Sequence, residues 1–291
     1  MIVTRISGGL GNQMFEYAFG LYLAKKHQTD LFLDCSWFEE DTLREFVLDR
    51  FSITAPLAPP SVRKRFIRRY GGRGWPGYLH GCPPMHRLKE RVYGFREEHL
   101  DAPDDTFLDG YWQTEKCFPG MIDELRDEFQ LTIPISDESL AVARQMAHPQ
   151  SASLHVRRTD YLGVWYTTAC SNVYYQRSVD YLLSRHQGIR LFVFSDDPEW
   201  CRKELRFPCP TTLVTHNDSS TGHEDLWLMS QCRHHVVANS TFSWWGARLG
   251  DPSGETLAPD PWFSHPTMDG SHIVPPSWRP ISGAFADERA A

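Results

Sequence analysis

No run of about 18 apolar residues occurs in the 291-residue chain, so no stretch suits a membrane-spanning helix. Metal and disulfide spacing is also missing. The seven cysteines are odd in number and scattered without a CxxC pair, which supplies neither a zinc signature nor a disulfide framework. Reduced thiols in a cytoplasmic protein are the expectation. Met1 to Ser7 enters a strand-like pattern without a signal peptide's long apolar core. The function expected is soluble, peripheral to the inner membrane at most. Excess positive charge is absent as well. A formal net charge of -7 argues against a nucleic-acid partner, because phosphate backbones are held by clustered Lys and Arg. One local exception runs from Arg63 to Arg73, through Lys64, Arg65, Arg68 and Arg69. Such a run is a solvated helix face or a docking patch for anionic lipid.

What is present suits packed α/β domains. Hydrophobic residues make up 41% and aromatics 13%, and 291 residues is a natural length for two domains. Ile2 to Ile6 reads as a strand, Ser7 to Gly11 as a Gly-rich turn. A helix follows, with Phe15, Ala18, Phe19, Tyr22 and Leu23 on one face. Leu31–Leu33 is a second strand ending at Asp34. Residues 56–84 suggest loops and short helices, 106–112 a strand and 119–129 an amphipathic helix. From Ser136 helices and strands alternate regularly, with strands at 151–156, 189–194, 212–214, 235–238 and near 255–258. That alternation means a parallel sheet with helical cover. Two α/β domains, 1–135 and 136–291, are expected.

Chemistry-bearing residues gather at strand ends, where α/β domains place ligands. In His155-Val156-Arg157-Arg158-Thr159-Asp160-Tyr161, two arginines and an aspartate leave a buried strand together. Alternation puts His155 and Arg157 on one face and Arg158 on the other. A guanidinium fork matches phosphate oxygens, which makes this a diphosphate site. The plainer alternative is a surface ion pair of Arg158 with Asp160, worth at most about 1 kcal/mol.

Gly8-Gly9-Leu10-Gly11-Asn12-Gln13 lies between strand and helix, where backbone amides form an anion nest. A dinucleotide fingerprint competes, with Asp34 as ribose-binding acid, but Met14 stands where the third glycine belongs. A tight turn alone explains Gly8. Asp196 and Asp197 form another polar strand end, and Asp197 before Pro198 also reads as a helix N-cap. Glu224 and Asp225 open a helix, where an acid suits the dipole; a carboxylate there also fits the N–H edge of guanine. Asn239, Ser240, Thr241 and Ser243 precede Trp244 and Trp245, offering either phosphate donors or N-capping. Two adjacent tryptophans cannot share a helix face, so they should meet different neighbours.

Together GGLGNQMFEYAFG, HVRRTDY, FSDDPEW and NSTFSWWGARL resemble the α-1,2-fucosyltransferases of glycosyltransferase family 11. The motifs run from residue 8 to residue 249. The resemblance implies a B-type glycosyltransferase fold with two Rossmann-like domains facing a cleft. It implies an acceptor-side N-terminal domain and a C-terminal domain that binds GDP-fucose. The implied reaction inverts GDP-β-L-fucose into an α-1,2 linkage on a β-galactoside such as lactose or a glycan terminus, in glycan or O-antigen-type synthesis. It implies no metal and no cofactor beyond the donor. Arg157, Asp160 and Asn12 become catalytic residues, with Asp160 bracing the loop. The donor-binding set is Gly9, Gly11, Asn12, Gln13, His155, Arg157, Arg158, Asp196, Asp225, Asn239, Ser240, Thr241 and Ser243, with His155 and Asp225 near guanine.

Two departures stand out. Thr159 replaces a usual Gly, and Glu16 a usual Gln, so Glu16 either alters acceptor choice or faces solvent. Residues 162–165 read Leu-Gly-Val-Trp, where related enzymes can carry a Glu, so no general base is named. A nicotinamide-linked sugar oxidoreductase and a non-catalytic glycan-binding protein are the competing functions.

Overall fold

The computed structural model describes every residue except 42, 64, 66–84, 91–92, 162–166 and 286–291. It divides into two compact units, Met1–Gln130 and Leu131–Ala291. The division falls just ahead of the expected 135/136 boundary.

The first unit contains β1 (Ile2–Arg5), α1 (Leu10–His27), β2 (Leu31–Asp34), β3 (His86–Lys89), β4 (Thr106–Asp109) and α2 (Ile122–Glu128). Its sheet is parallel in the order β2-β1-β4-β3. The chain leaves β1 toward β2, then continues on β1's other side. The strand order therefore reverses between β1 and β4, which opens a crevice at the strands' carboxyl ends. Leu10 and Gly11 already belong to α1, so the turn is only Ser7–Gly9. The expected single apolar face is too narrow. α1 buries residues all round, including Gln13, Glu16 and Gly20, as a fully enclosed helix must. A Cβ on Gly20 would lie 2.9 Å from Leu31 Cδ1 and 3.1 Å from Thr4 Cγ2, so only glycine lets α1 sit this close to the sheet.

The second unit contains α3 (Asp137–Met146), β5 (Ser151–Val156), α4 (Asn172–Arg185), β6 (Arg190–Ser195), α5 (Pro198–Glu204) and β7 (Thr211–Val214). It continues with α6 (Gly222–Ser230), β8 (His234–Val236), α7 (Thr241–Arg248), β9 (Thr256–Asp260) and β10 (Arg279–Ser282). All strands are parallel, ordered β10-β9-β8-β5-β6-β7. β5 is buried along its whole length, as a central parallel strand covered on both faces should be. Leu191 and Val193 of β6 pack with Tyr174, Val179 and Leu182 on one side. Phe192 and Phe194 pack with Leu228 and Met229 on the other. Here the order reverses between β5 and β8, so the ends of those two strands flank the second crevice. Among the described residues no helix is long and apolar enough to cross a membrane.

Candidate active site

β5 carries the chain to the switch point of the second sheet, and Arg157 is the first residue past it. Its guanidinium holds Asp160 with two parallel bonds, Nε to Oδ1 at 2.8 Å and Nη2 to Oδ2 at 2.5 Å. The ion pair expected of Arg158 and Asp160 is therefore made by Arg157. The turn Arg158–Tyr161 folds Asp160 back over the strand end, with the Tyr161 amide donating to the Arg158 carbonyl. Arg158 goes the other way. It stacks on Trp200 at 4.0 Å from the ring centroid, and its Nε lies 3.3 Å from Asp197. A guanidinium has five N–H donors. Those of Arg157 on Nη1 and on the far side of Nη2 meet no partner among the described residues. The fork is thus aligned by Asp160 and keeps one edge for a ligand. Burial pulls the Arg157 pKa down, but the Asp160 hydrogen bond and the nearby acids raise it overall.

Asp196, at the end of neighbouring β6, shapes this loop. It accepts from the amides of Arg158 and Thr159 at 2.9 and 3.1 Å and from the Thr159 hydroxyl at 2.6 Å. Burial pushes its carboxyl up, yet Thr159, Arg157 and the Arg158 amide outweigh that and hold it low. Thr159 in place of glycine thus supplies a hydroxyl to the brace. Asp197 caps α5 through the Trp200 amide at 3.1 Å, so the capping alternative is realised. His155 is buried, its Nδ1 has no hydrogen-bond partner among the described residues, and its ring lies 5.6 Å from Phe242. Burial, then the Arg157 charge, lowers its pKa to about 3, so the ring is neutral at working pH.

On the far side of the switch point, β8 leads to Asn239. Its carboxamide ties down the preceding loop, donating to Thr167 Oγ1 at 2.8 Å and to the Thr168 carbonyl at 3.0 Å. Tyr161 donates to the Asn239 carbonyl at 2.9 Å, which links the two strand ends. Ser240 caps α7 at the Phe242 amide, and buried Ser243 turns its hydroxyl toward the Ser240 carbonyl at 3.4 Å. Thr241, partly exposed, opens α7. Trp244 and Trp245 are both buried, edge to face at 4.9 Å; Trp244 reaches Trp278 and the Ile273 carbonyl. At the start of α6 the acidic pair divides. Glu224 holds Ser136. Asp225 accepts from Asn217 at 2.8 Å, and burial, reinforced by Glu224, raises its pKa to about 6.

The glycine turn of the first unit is described by itself. Gly8 has φ 67°, and a Cβ there would come within 2.9 Å of Asn12 Nδ2. Gly9 is the N-cap and Gly11 is buried in the first helical turn. Gln13 is fully buried and spent on its surroundings. It donates to the carbonyls of Gly8 and Glu45 and accepts from the Val47 amide. Asn12 instead joins Gln113, whose Nε2 donates to Asn12 Oδ1 at 2.9 Å. Glu16 neither meets acceptor nor faces solvent. It is buried and accepts from the Ser7 amide at 2.7 Å and hydroxyl at 2.6 Å, locking the turn from below. Burial raises its pKa well above the ordinary value despite those bonds. The sequence marked it only as a departure from a usual Gln, with nothing to point to Ser7 as its partner. Asp34 is spent on the Ser36 amide and hydroxyl, so it offers no ribose contact of the kind a nicotinamide site needs. Of the basic 63–73 stretch, Arg63 and Arg65 are described, and each pairs with an acid, Glu39 and Asp105. The remainder, like residues 162–165, lies outside the described residues.

Two doubly wound sheets, each with polar residues at a switch point, define the class of B-type glycosyltransferases. Solved structures agree: a fucosyltransferase, NodZ from Bradyrhizobium, superposes with TM-score 0.53 at 14% identity, over 86% of this chain and 91% of its own. NodZ α-1,6-fucosyltransferase soaked with GDP-fucose gives 0.51 at 13%, over 86% and 92%. The profile of glycosyl transferase family 11 matches residues 91–282. An α-1,2-colitosyltransferase from Escherichia coli is 30% identical, over 96% of this chain and 98% of its own. The human galactoside α-(1,2)-fucosyltransferase 1 is 25% identical, over 86% of this chain and 65% of its own. The chain belongs to glycosyltransferase family 11.

Proposed function

We propose that this enzyme moves L-fucose from GDP-β-L-fucose to the 2-hydroxyl of a terminal β-galactoside, with inversion, in glycan or O-antigen-type synthesis. The observation that carries the reading is Arg157, standing at the β5–β8 switch point with one guanidinium edge aligned by Asp160 and another open. As the bond from C1 of fucose to the diphosphate oxygen breaks, negative charge grows on GDP. A preset cation stabilises that charge without reorganising. The acceptor oxygen attacks the opposite face of C1 and its proton leaves; no described side chain is assigned as its base. Arg158, Asp196 and Asp160 hold the loop in shape. Asp225 accepts from the N–H edge of guanine, with neutral His155 beside it. Thr241, Ser243 and the strand-end amides near Asn239 and Ser240 face the phosphates. Asn12 contributes substrate contact from the first unit, on the turn set by Gly9, Gly11 and Gln13. The reading uses no metal and no cofactor beyond the donor. A cytoplasmic setting belongs to the same proposal, supported by free thiols among the described cysteines.

A colitosyl donor is the second reading, because the E. coli relative named for that activity is 30% identical. A thermal-shift panel of GDP, GDP-fucose, UDP, NAD and lactose tests both against the nicotinamide alternative. GDP at a hundred times its dissociation constant should add about 2.7 kcal/mol. A shift with NAD and none with GDP would sink the proposal. Transfer assays with fucosyl and colitosyl donors then decide the sugar.

A further inference from the structure

The first unit has a ligand edge of its own, between the turn after β1 and the turn after β4. The second of these, Gly110–Gln113, is built with unusual firmness. Gly110 lies so close to Glu90 that a Cβ there would fall 2.4 Å from Glu90 Cβ. The Glu90 carboxylate takes the amides of both Tyr111, at 2.7 Å, and Trp112, at 3.3 Å. Trp112 adopts φ 54°, a left-handed conformation costly for a bulky side chain. Its ring is buried 4.9 Å from Phe19 and 5.1 Å from His99, which holds it there. Strain maintained by surrounding contacts is typical of a ligand-facing segment.

What this segment presents is chemically specific. Tyr111 is one of only three large apolar side chains exposed among the described residues, at 40%. Its ring edge lies 3.6 Å from the Cβ position of Gly8, and so alongside the β1 turn. Next to it stand two carboxamides, Asn12 and Gln113, joined at 2.9 Å and buttressed by the Tyr93 hydroxyl. The nearby cations Arg5 and Arg87 both pair with Asp109, which offsets their charge only in part. An exposed ring beside neutral amides fits a pyranose, whose C–H face lies on the ring while its hydroxyls meet the amides.

The structure assigns this edge as the acceptor subsite, with Tyr111 as platform for the terminal galactosyl ring and Asn12–Gln113 as its hydroxyl partners. The assignment rests on the proposed fucosyl transfer to a galactoside. It is tested by initial rates over ranges of lactose and of GDP-fucose, with melting curves, for the wild type, Tyr111→Ala and Tyr111→Phe. Tyr111→Leu replaces Tyr111→Ala should the latter melt below assay temperature. Loss of the ring should raise the lactose KM about tenfold, the scale of one aromatic contact, with no matching rise for GDP-fucose. Tyr111→Phe should restore most of it. An unmoved lactose KM, or a donor KM rising in step, overturns the assignment. Lactose binding without donor, followed by saturation-transfer NMR, separates the two readings. If the wild type transfers no fucose, the function falls. Lactose bound by the wild type and Tyr111→Phe but not by Tyr111→Ala still supports the subsite, and equal or absent binding overturns it.

Discussion

Replacing Arg157 with lysine keeps the positive charge and removes the fork. In the structure the fork does two things at once: it binds both oxygens of Asp160 and leaves an outer edge for a ligand. An ammonium is a point donor and cannot do both in that geometry. Losing a donor aimed at developing charge costs about 2.7–4 kcal/mol, or roughly 10²–10³ in rate. The stability cost is far smaller. Arg157 and Asp160 are 25% and 39% exposed, and such a pair is worth about 0–1 kcal/mol. For a domain of this size that is at most about 2–4 °C in Tm. Arg158→Lys provides the contrast. It loses the stack on Trp200, worth roughly 0.5–2 kcal/mol, so its melting temperature should fall further while its turnover falls less. The assay is the initial rate of fucose transfer to lactose, with melting curves for both variants. Near wild-type turnover in well-folded Arg157→Lys would refute the catalytic role. So would equal losses in both variants without a difference in melting.

Asp225→Asn should separate stability from binding by pH. Burial raises the Asp225 pKa to about 6, so the fold favours the neutral carboxyl. That contribution is full below the unfolded value of about 4 and is lost as pH rises through about 6. The variant should therefore melt higher than wild type at about pH 8, by roughly 2–4 °C per kcal/mol relieved, and the gain should vanish at low pH. It should also bind GDP about tenfold or more weakly, since hydrogen bonds to charged groups are worth about 1.5–3 kcal/mol. A gain that persists at low pH, or unchanged GDP affinity, contradicts the assignment. If Arg157 supplies the fixed positive charge at the leaving group, as proposed, EDTA should leave fucose transfer undiminished. Chelator-sensitive turnover restored by Mn²⁺ would show otherwise.

The second unit was largely legible. Its strands alternate with helices, and β5, in which Ala152, Leu154 and Val156 alternate with small or neutral Ser151, Ser153 and His155 and no charged residue precedes Arg157, reads as a buried parallel strand. β10 escaped notice because Arg279-Pro280-Ile281-Ser282 lacks an apolar run and contains proline, which a sheet tolerates at an edge. β3 is missing from the sequence reading for a similar reason: His86-Arg87-Leu88-Lys89 has the composition of a surface loop. At the site, strand-face alternation correctly set Arg157 apart from Arg158. It could not give their partners, because Asp160 and Asp197 are chosen by a turn and by a neighbouring strand. Glu16 was invisible as a clamp, since a carboxylate within an apolar helix gains meaning only when Ser7 is seen above it.

The two sheets reverse their strand order separately, one between β1 and β4, the other between β5 and β8. On the proposed reading each unit thus owns a ligand edge whose loops rest on its own core. Modularity follows for engineering and for natural drift. Exchanging residues 110–113 should retarget the acceptor without disturbing the Arg157 loop, and edits around Asp225 should change nucleotide preference without disturbing the Tyr111 turn. In a chain so divided, new linkages can be reached one substrate at a time.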